Sequence, residues 1–150
     1  MPTPMPLVLA MAFRLLTDRL HERLPGEGHP DVRPAHGFAV GHLVTSRGAT
    51  AVELAEHLGV TKQGAGHLIG ELERWGYVER VDHPADRRSR LVVATDKGHA
   101  LVSCVNAIWR EEEARWADLV GARDLDGARA ALQAYVDATG GGSAPVRPVW

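Results

Sequence analysis

Two short runs of this chain carry side chains suited to gripping another molecule rather than transforming one. Thr61, Lys62, Gln63, Gly66 and His67 form the first, and Asp86, Arg87, Arg88 and Arg90 the second. A glutamine such as Gln63 pairs two-pronged with adenine, and a lysine such as Lys62 suits guanine or a phosphate. Clustered arginines suit phosphates and the floor of a groove. Catalysis has no comparable footing, since there is no Gly-x-Ser-x-Gly, no P-loop and no dinucleotide fingerprint. The glycine-rich Gly64-Ala65-Gly66 falls inside a helical pattern, and Glu111-Glu112-Glu113 reads as a solvated helix face. Eight histidines stand at 21, 29, 36, 42, 57, 67, 83 and 99 without a His-x₃-His pair or a nearby cysteine. No metal site and no cofactor is therefore expected.

The elements that must position the first run are two short helices and a tight turn. Thr50 precedes Glu53 by three residues, the spacing of a capping box, and Leu54, Ala55 and Leu58 supply an apolar face. Gly59 fits the left-handed position that stops a helix, with Val60 packing back under the turn. Thr61 then caps a second helix whose Ala65, Leu68, Ile69 and Leu72 recur at helical spacing. Lys62, Gln63, Gly66, His67 and Gly70 fall on the opposite face. This is the pattern of a helix-turn-helix, in which the second helix lays its N-terminal end in a major groove. The helix is rich in glycine, at 64, 66 and 70, and each interior glycine costs roughly 0.5–1 kcal/mol relative to alanine. Either the helix is soft until it meets its partner, or glycine permits a close approach.

The second run sits on a β-hairpin. Trp75 and Gly76 end the helix, Tyr77 to Val81 alternates as a strand, His83-Pro84-Ala85-Asp86 turns, and Leu91 to Ala94 returns. Between Arg80 and Arg90 four arginines face Asp82 and Asp86, in a chain of net charge −2. A basic hairpin directly after a helix-turn-helix is a wing.

The run from Thr50 to Gly98, with ELAEHLGVTKQGAGHLIGELERWGYVER, then HPADRRSRLV and ATDKG, resembles the MarR family of bacterial winged-helix transcriptional regulators. The resemblance implies a mainly α fold with a small β-hairpin wing, a winged helix-turn-helix plus N- and C-terminal dimerisation helices. It implies that Asp86 orients Arg88, that Arg88 enters the minor groove, and that the end helices of two subunits interdigitate. It also implies a small, often aromatic or phenolic, effector bound between the dimer helices and the winged domain. Arg14, His36, His42 and Trp109 stand at that junction as polar or aromatic residues. Family members usually carry a hydroxyl or a larger side chain where this chain has Gly66. Redox-sensing members place a cysteine near the first helix, whereas Cys104 lies far from it and reads as a buried, inert thiol.

With 150 residues, 45% hydrophobic and 24% charged, the chain is expected to be one soluble domain. Near-neutral charge argues against a generic polyanion binder and leaves open a cationic face on an otherwise acidic surface. The N-terminal MPTPMPLVLAMAF has no basic residue before Arg14, and no apolar run reaches 18 residues. A membrane span is excluded on that reading and a signal peptide is not expected. A single cysteine agrees with a reducing compartment, so a cytoplasmic protein is expected.

Helical spacing continues on both sides of the wing. Residues 7–45 read as two helices: Leu7 to Leu24, striped by Leu9, Phe13, Leu16, Leu20 and Leu24, then one opened by Pro34 and carrying Phe38, Val40, Leu43 and Val44. Glycines at 37 and 41 weaken the second or mark close packing. Residues 50–95 form the winged helix-turn-helix. Residues 96–139 read as a long helix capped by Thr95, with Leu101, Val105, Ile108, Trp109, Trp116 and Leu119 on its stripe, and a last helix opened by Asp124 or Asp126. Residues 140–150 are a tail, Pro-rich from Ser143. These amphipathic ends suit a two-fold homodimer whose recognition helices stand about 34 Å apart on a palindrome of double-stranded DNA. The expected activity is repression relieved by a small molecule. The alternatives are a winged-helix protein-interaction module, and a DNA-binding activator or architectural protein without an effector.

Overall fold

The structure, a computed structural model, describes residues 1–140. Its elements run α1 (Met5–Arg23), a 3-10 turn (Leu24–Glu27), α2 (Pro34–Ser46), α3 (Ala51–Leu58), α4 (Lys62–Arg74), β1 (Val78–Asp82), β2 (Arg90–Ala94), α5 (Asp96–Val120) and α6 (Ala122–Gly140). The architecture is mainly α with one small β-hairpin, as the sequence implies. No helix among the described residues is long and apolar enough to cross a membrane.

Local chemistry explains the boundaries. Pro34 occupies the first turn of α2, where its missing N–H is no loss. Thr50 and Glu53 satisfy each other's amides at the start of α3, and Gly59 ends it at φ 65°. A threonine cap of this kind contributes about 1 kcal/mol. Val60, expected beneath the turn, bonds its amide back to the Ala55 carbonyl, yet its side chain is 39% exposed. Gly76, at φ 81°, turns the chain out of α4, so that Tyr77 is buried just ahead of β1 rather than inside it. Gly98 is fixed by space: a Cβ there would collide with the Tyr77 carbonyl. By contrast, Gly37 and Gly41 have no neighbour within 4 Å of a Cβ position, so neither marks close packing inside the chain.

β1 and β2 pair antiparallel from Val78↔Ala94 to Asp82↔Arg90, and Ala49 adds a one-residue bridge to Val92 on the outer side of β2. Val78 and Val92 face the core, where they meet Leu54 and Leu58 of α3, Ile69 and Leu72 of α4, Val40 and Leu43 of α2, and Leu101 and Ile108 of α5. That core fastens the hairpin to the helix pair.

The long helices differ from expectation in two places. α6 opens at Ala122, immediately after Gly121 (φ 94°), ahead of either aspartate expected to start it. Glu112, expected on a solvated face, is only 2% exposed. Its carboxylate accepts from Arg19 of α1 and Arg115 of α5, each at 3.1 Å. Glu111 binds Arg23 of α1 at 2.6 Å, and Glu113 binds Arg129 of α6 at 2.9 Å. The acidic run is thus the fastening by which α5 holds α1 on one side and α6 on the other. The tail expected beyond residue 140 lies outside the described residues.

Candidate nucleic-acid interface

Among the described residues, unpaired polar groups gather on the N-terminal half of α4 and at the tip of the hairpin. Thr61 caps α4 by accepting from the Gly64 amide at 3.0 Å, which starts the helix at Lys62. Ala65, Ile69 and Leu72 are fully buried, so the helix's orientation is fixed and Lys62, Gln63 and His67 are turned outward. Among the described residues, the side chains of Lys62 and Gln63 make no hydrogen bond or ion pair. Gly66 and Gly70 have nothing within 4 Å of a Cβ position. Packing inside the chain therefore gives no reason for glycine there, and the face they leave is flat.

His36 ties this helix to α2. Its Nδ1 accepts from the Arg33 amide at 3.0 Å, so the ring proton lies on Nε2 and is donated to Glu71 at 2.8 Å. That bond is the main reason the Glu71 carboxyl sits below the usual carboxylate range. The other Glu71 oxygen is 3.6 Å from His67 Nε2, on the exposed face of α4. A polar chain thus runs from the N-cap of α2 to an outward-facing imidazole. The sequence reading missed Glu71, although its i+4 spacing from His67 was there to be read.

The wing has its own order. His83 Nδ1 accepts from the amides of Ala85 at 3.1 Å and Asp86 at 3.2 Å. Asp86 then accepts from the Arg88 amide at 2.9 Å and the Ser89 hydroxyl at 3.0 Å, and the Arg88 amide is the chief cause of its lowered carboxyl pKa. Asp86 therefore acts on the backbone of Arg88, not on its guanidinium. The four arginines divide. Arg80 pairs with Glu73 at 3.4 Å, and Arg90 donates to the Arg80 carbonyl at 2.9 Å with Asp82 at 3.9 Å, so both brace the hairpin. Arg87 and Arg88 are exposed and, among the described residues, their guanidinium groups have no partner.

The four residues expected at an effector pocket are not gathered. Arg14, 3.7 Å from Asp18, lines a cleft of about 680 Å³ with Phe13, Thr17, His21, Val32 and Arg33. Trp109 lines another, of about 480 Å³, with Phe13, Leu16 and Asn106. His36 is buried against Trp75 and Glu71, and His42 stacks on His57 at 3.7 Å; neither borders these clefts. Burial, and then His57, pushes the His42 imidazole below its ordinary pKa. Cys104, expected buried, is half-buried, and burial raises its thiol above the ordinary pKa.

Residues 31–89 match the model of the MarR family. Over 60 residues the chain is 40% identical to the transcriptional activatory protein BadR of Rhodopseudomonas palustris, a match covering 40% of this chain and 34% of that protein. The uncharacterized protein Rv2011c of Mycobacterium tuberculosis is 29% identical over 110 residues, 73% of this chain and 74% of its own. Among solved structures, the reduced form of MarR from E. coli superposes with a TM-score of 0.79 at 20% identity, covering 91% of this chain and 98% of that one. RV1404 from Mycobacterium tuberculosis gives 0.75 at 23%, with 93% and 97% covered. An S. aureus MepR variant bound to an oligodeoxyribonucleotide gives 0.64 at 19%, with 91% and 99% covered.

Proposed function

We propose, from the premise that this chain belongs to the MarR family of winged-helix proteins, that it is a homodimeric transcriptional regulator that reads double-stranded DNA. The observation that carries the reading is the pairing of two exposed, unpartnered groups on one rigid core. Lys62 and Gln63 stand on α4, beside the exposed His67 that Glu71 approaches at 3.6 Å, and Arg87 and Arg88 stand at the wing tip. Residues 50–95 are the reading module: α4 enters the major groove with Thr61, Lys62, Gln63, Gly66 and His67, and Arg88 enters the adjacent minor groove. Arg87 meets phosphate, Asp86 shapes the tip, and Arg90 serves through the hairpin it braces.

The helices of residues 7–45 and 96–139 hold the module and pair it with a second copy. Exposed Leu7, Met11 and Leu15 of α1, Leu119 of α5, and Leu132 and Tyr135 of α6 support this, since single chains rarely leave so much apolar surface on adjoining helices. The cleft beside Arg14 supports release by a small molecule: Phe13 and Val32 offer apolar walls, and Arg14, Arg33 and His21 offer polar contacts at its rim. Whether the bound dimer represses or activates depends on where its operator lies relative to the promoter.

The test is a salt-titrated anisotropy assay on DNA flanking the protein's own gene, beside an unrelated fragment. Wild type is expected to prefer the flanking DNA, and Arg88→Ala to bind more weakly with a salt slope smaller by about one. Equal binding to both fragments, or an unchanged slope, would overturn the reading.

A further inference from the structure

The wing turn is held by an imidazole acting as a hydrogen-bond acceptor. Turn amides two and three residues downstream are ordinarily capped by Asn, Asp or Ser, whose oxygens accept at any pH near neutrality. Here His83 Nδ1 takes the amides of Ala85 and Asp86 at 3.1 and 3.2 Å. It can accept only while its proton is on Nε2. A second proton would occupy Nδ1 and set an N–H against two N–H groups. The next turn depends on the first, because the Asp86 whose amide His83 holds is the residue that caps Arg88 and Ser89.

We propose that His83 is the positioning residue of the wing, its neutral ring holding the turn from which Arg87 and Arg88 project, so that acidification weakens DNA binding through this ring. The proposal rests on the reading of the wing as a DNA contact. The charged and titratable groups around the ring come from three elements. Asp86 acts from the same turn and Glu53 from the first turn of α3, each interacting electrostatically with His83. Asp82 and Arg87 are its charged neighbours along the chain, and His42 of α2, stacked on His57, faces the same Glu53. The expected sign is opposite to the general one: added protons ordinarily strengthen binding to a polyanion, as protonation of the exposed His67 on α4 would.

His83→Asn separates the two effects, since an asparagine carbonyl can take the same two amides and does not titrate. Binding to the preferred DNA fragment is measured from about pH 8 to about pH 5.5, the range in which imidazoles change charge, at fixed ionic strength. Wild type and His83→Asn are expected to bind alike at the upper end. At the lower end wild type should be weaker than the variant by about fivefold or more, the scale of losing a wing contact. His83→Ala should be weak throughout. Parallel curves for wild type and His83→Asn would overturn the proposal. Ring nitrogen NMR provides a reading that needs no DNA. The Nε2–H tautomer is expected near pH 8, with the Ala85, Asp86 and Arg88 amides shifting on acidification in wild type only. An Nδ1–H tautomer, or amides that do not move, would overturn it as well. If no fragment is preferred at any pH, the DNA reading fails and the spectra alone decide the role of His83.

Discussion

The reading module and the outer helices treat charge and oil in opposite ways. In the module, Leu54, Leu58, Ile69 and Leu72 are completely buried, Val52 and Val60 are the large apolar side chains left exposed, and Lys62, Gln63, Arg87 and Arg88 are turned outward. Along α1, α5 and α6 a glutamate is buried at 2% exposure while Leu119 stands 83% exposed and Tyr135 69%. α6 buries only Leu125. A chain that folds alone rarely leaves large exposed apolar side chains gathered on adjoining helices. Under the proposed function the outer helices complete their burial against a second copy, and the module's outward polar groups are left for DNA.

Substitutions on the arms should break that contrast first. Leu119→Glu places a charge where the proposal puts a second copy, and it removes little from the single chain because Leu119 buries little. Light scattering at micromolar concentration is expected to give a monomeric mass. Affinity for a two-half-site fragment should fall about a hundredfold, since binding through both modules is lost. A dimeric mass with unchanged affinity would mean that the exposed arms serve something else. Glu112→Ala acts within one chain. It removes the acceptor shared by Arg19 and Arg115, both more than half exposed, so their charges can still be hydrated. The loss is therefore expected near 2 kcal/mol, below the 3–5 typical of stranding a fully buried partner. Denaturant unfolding measures it, and no change in midpoint would return the acidic run to a merely solvated face.

Legibility followed the same division. Caps and turns are local, so Thr50 with Glu53, Gly59, Thr61, Pro34 and Thr95 could be read from neighbours in the sequence, and each stands where it was expected. Side chains that act across the fold were not legible. Glu112 looks like its neighbours until α1 supplies Arg19, ninety-three residues earlier. His36 looks like a pocket residue until α4 supplies Glu71, thirty-five residues on. His83 is hidden for a different reason: Pro84 and Asp86 alone account for a turn, and imidazole is not among the usual turn-capping side chains. In the sequence Arg90 groups with Arg87 and Arg88 as a candidate contact, because strand pairing, which sets it across from Asp82 and within reach of the Arg80 carbonyl, is a property of register.

The smallest effect tests the module itself and turns on a change of sign. Gly66 lies inside α4 with nothing within 4 Å of a Cβ position, so alanine fits the folded chain without displacing an atom. Gly66→Ala is expected to stabilise the protein by about 0.5–1 kcal/mol, the helix-interior cost of glycine. If the flat face is there to let the helix approach DNA closely, the same methyl must weaken binding while it strengthens the fold. Thermal unfolding and anisotropy on one preparation would show the two moving in opposite directions. Were both to improve, Gly66 would be an uncorrected weakness of the helix, and base reading would fall to Lys62, Gln63 and His67 alone.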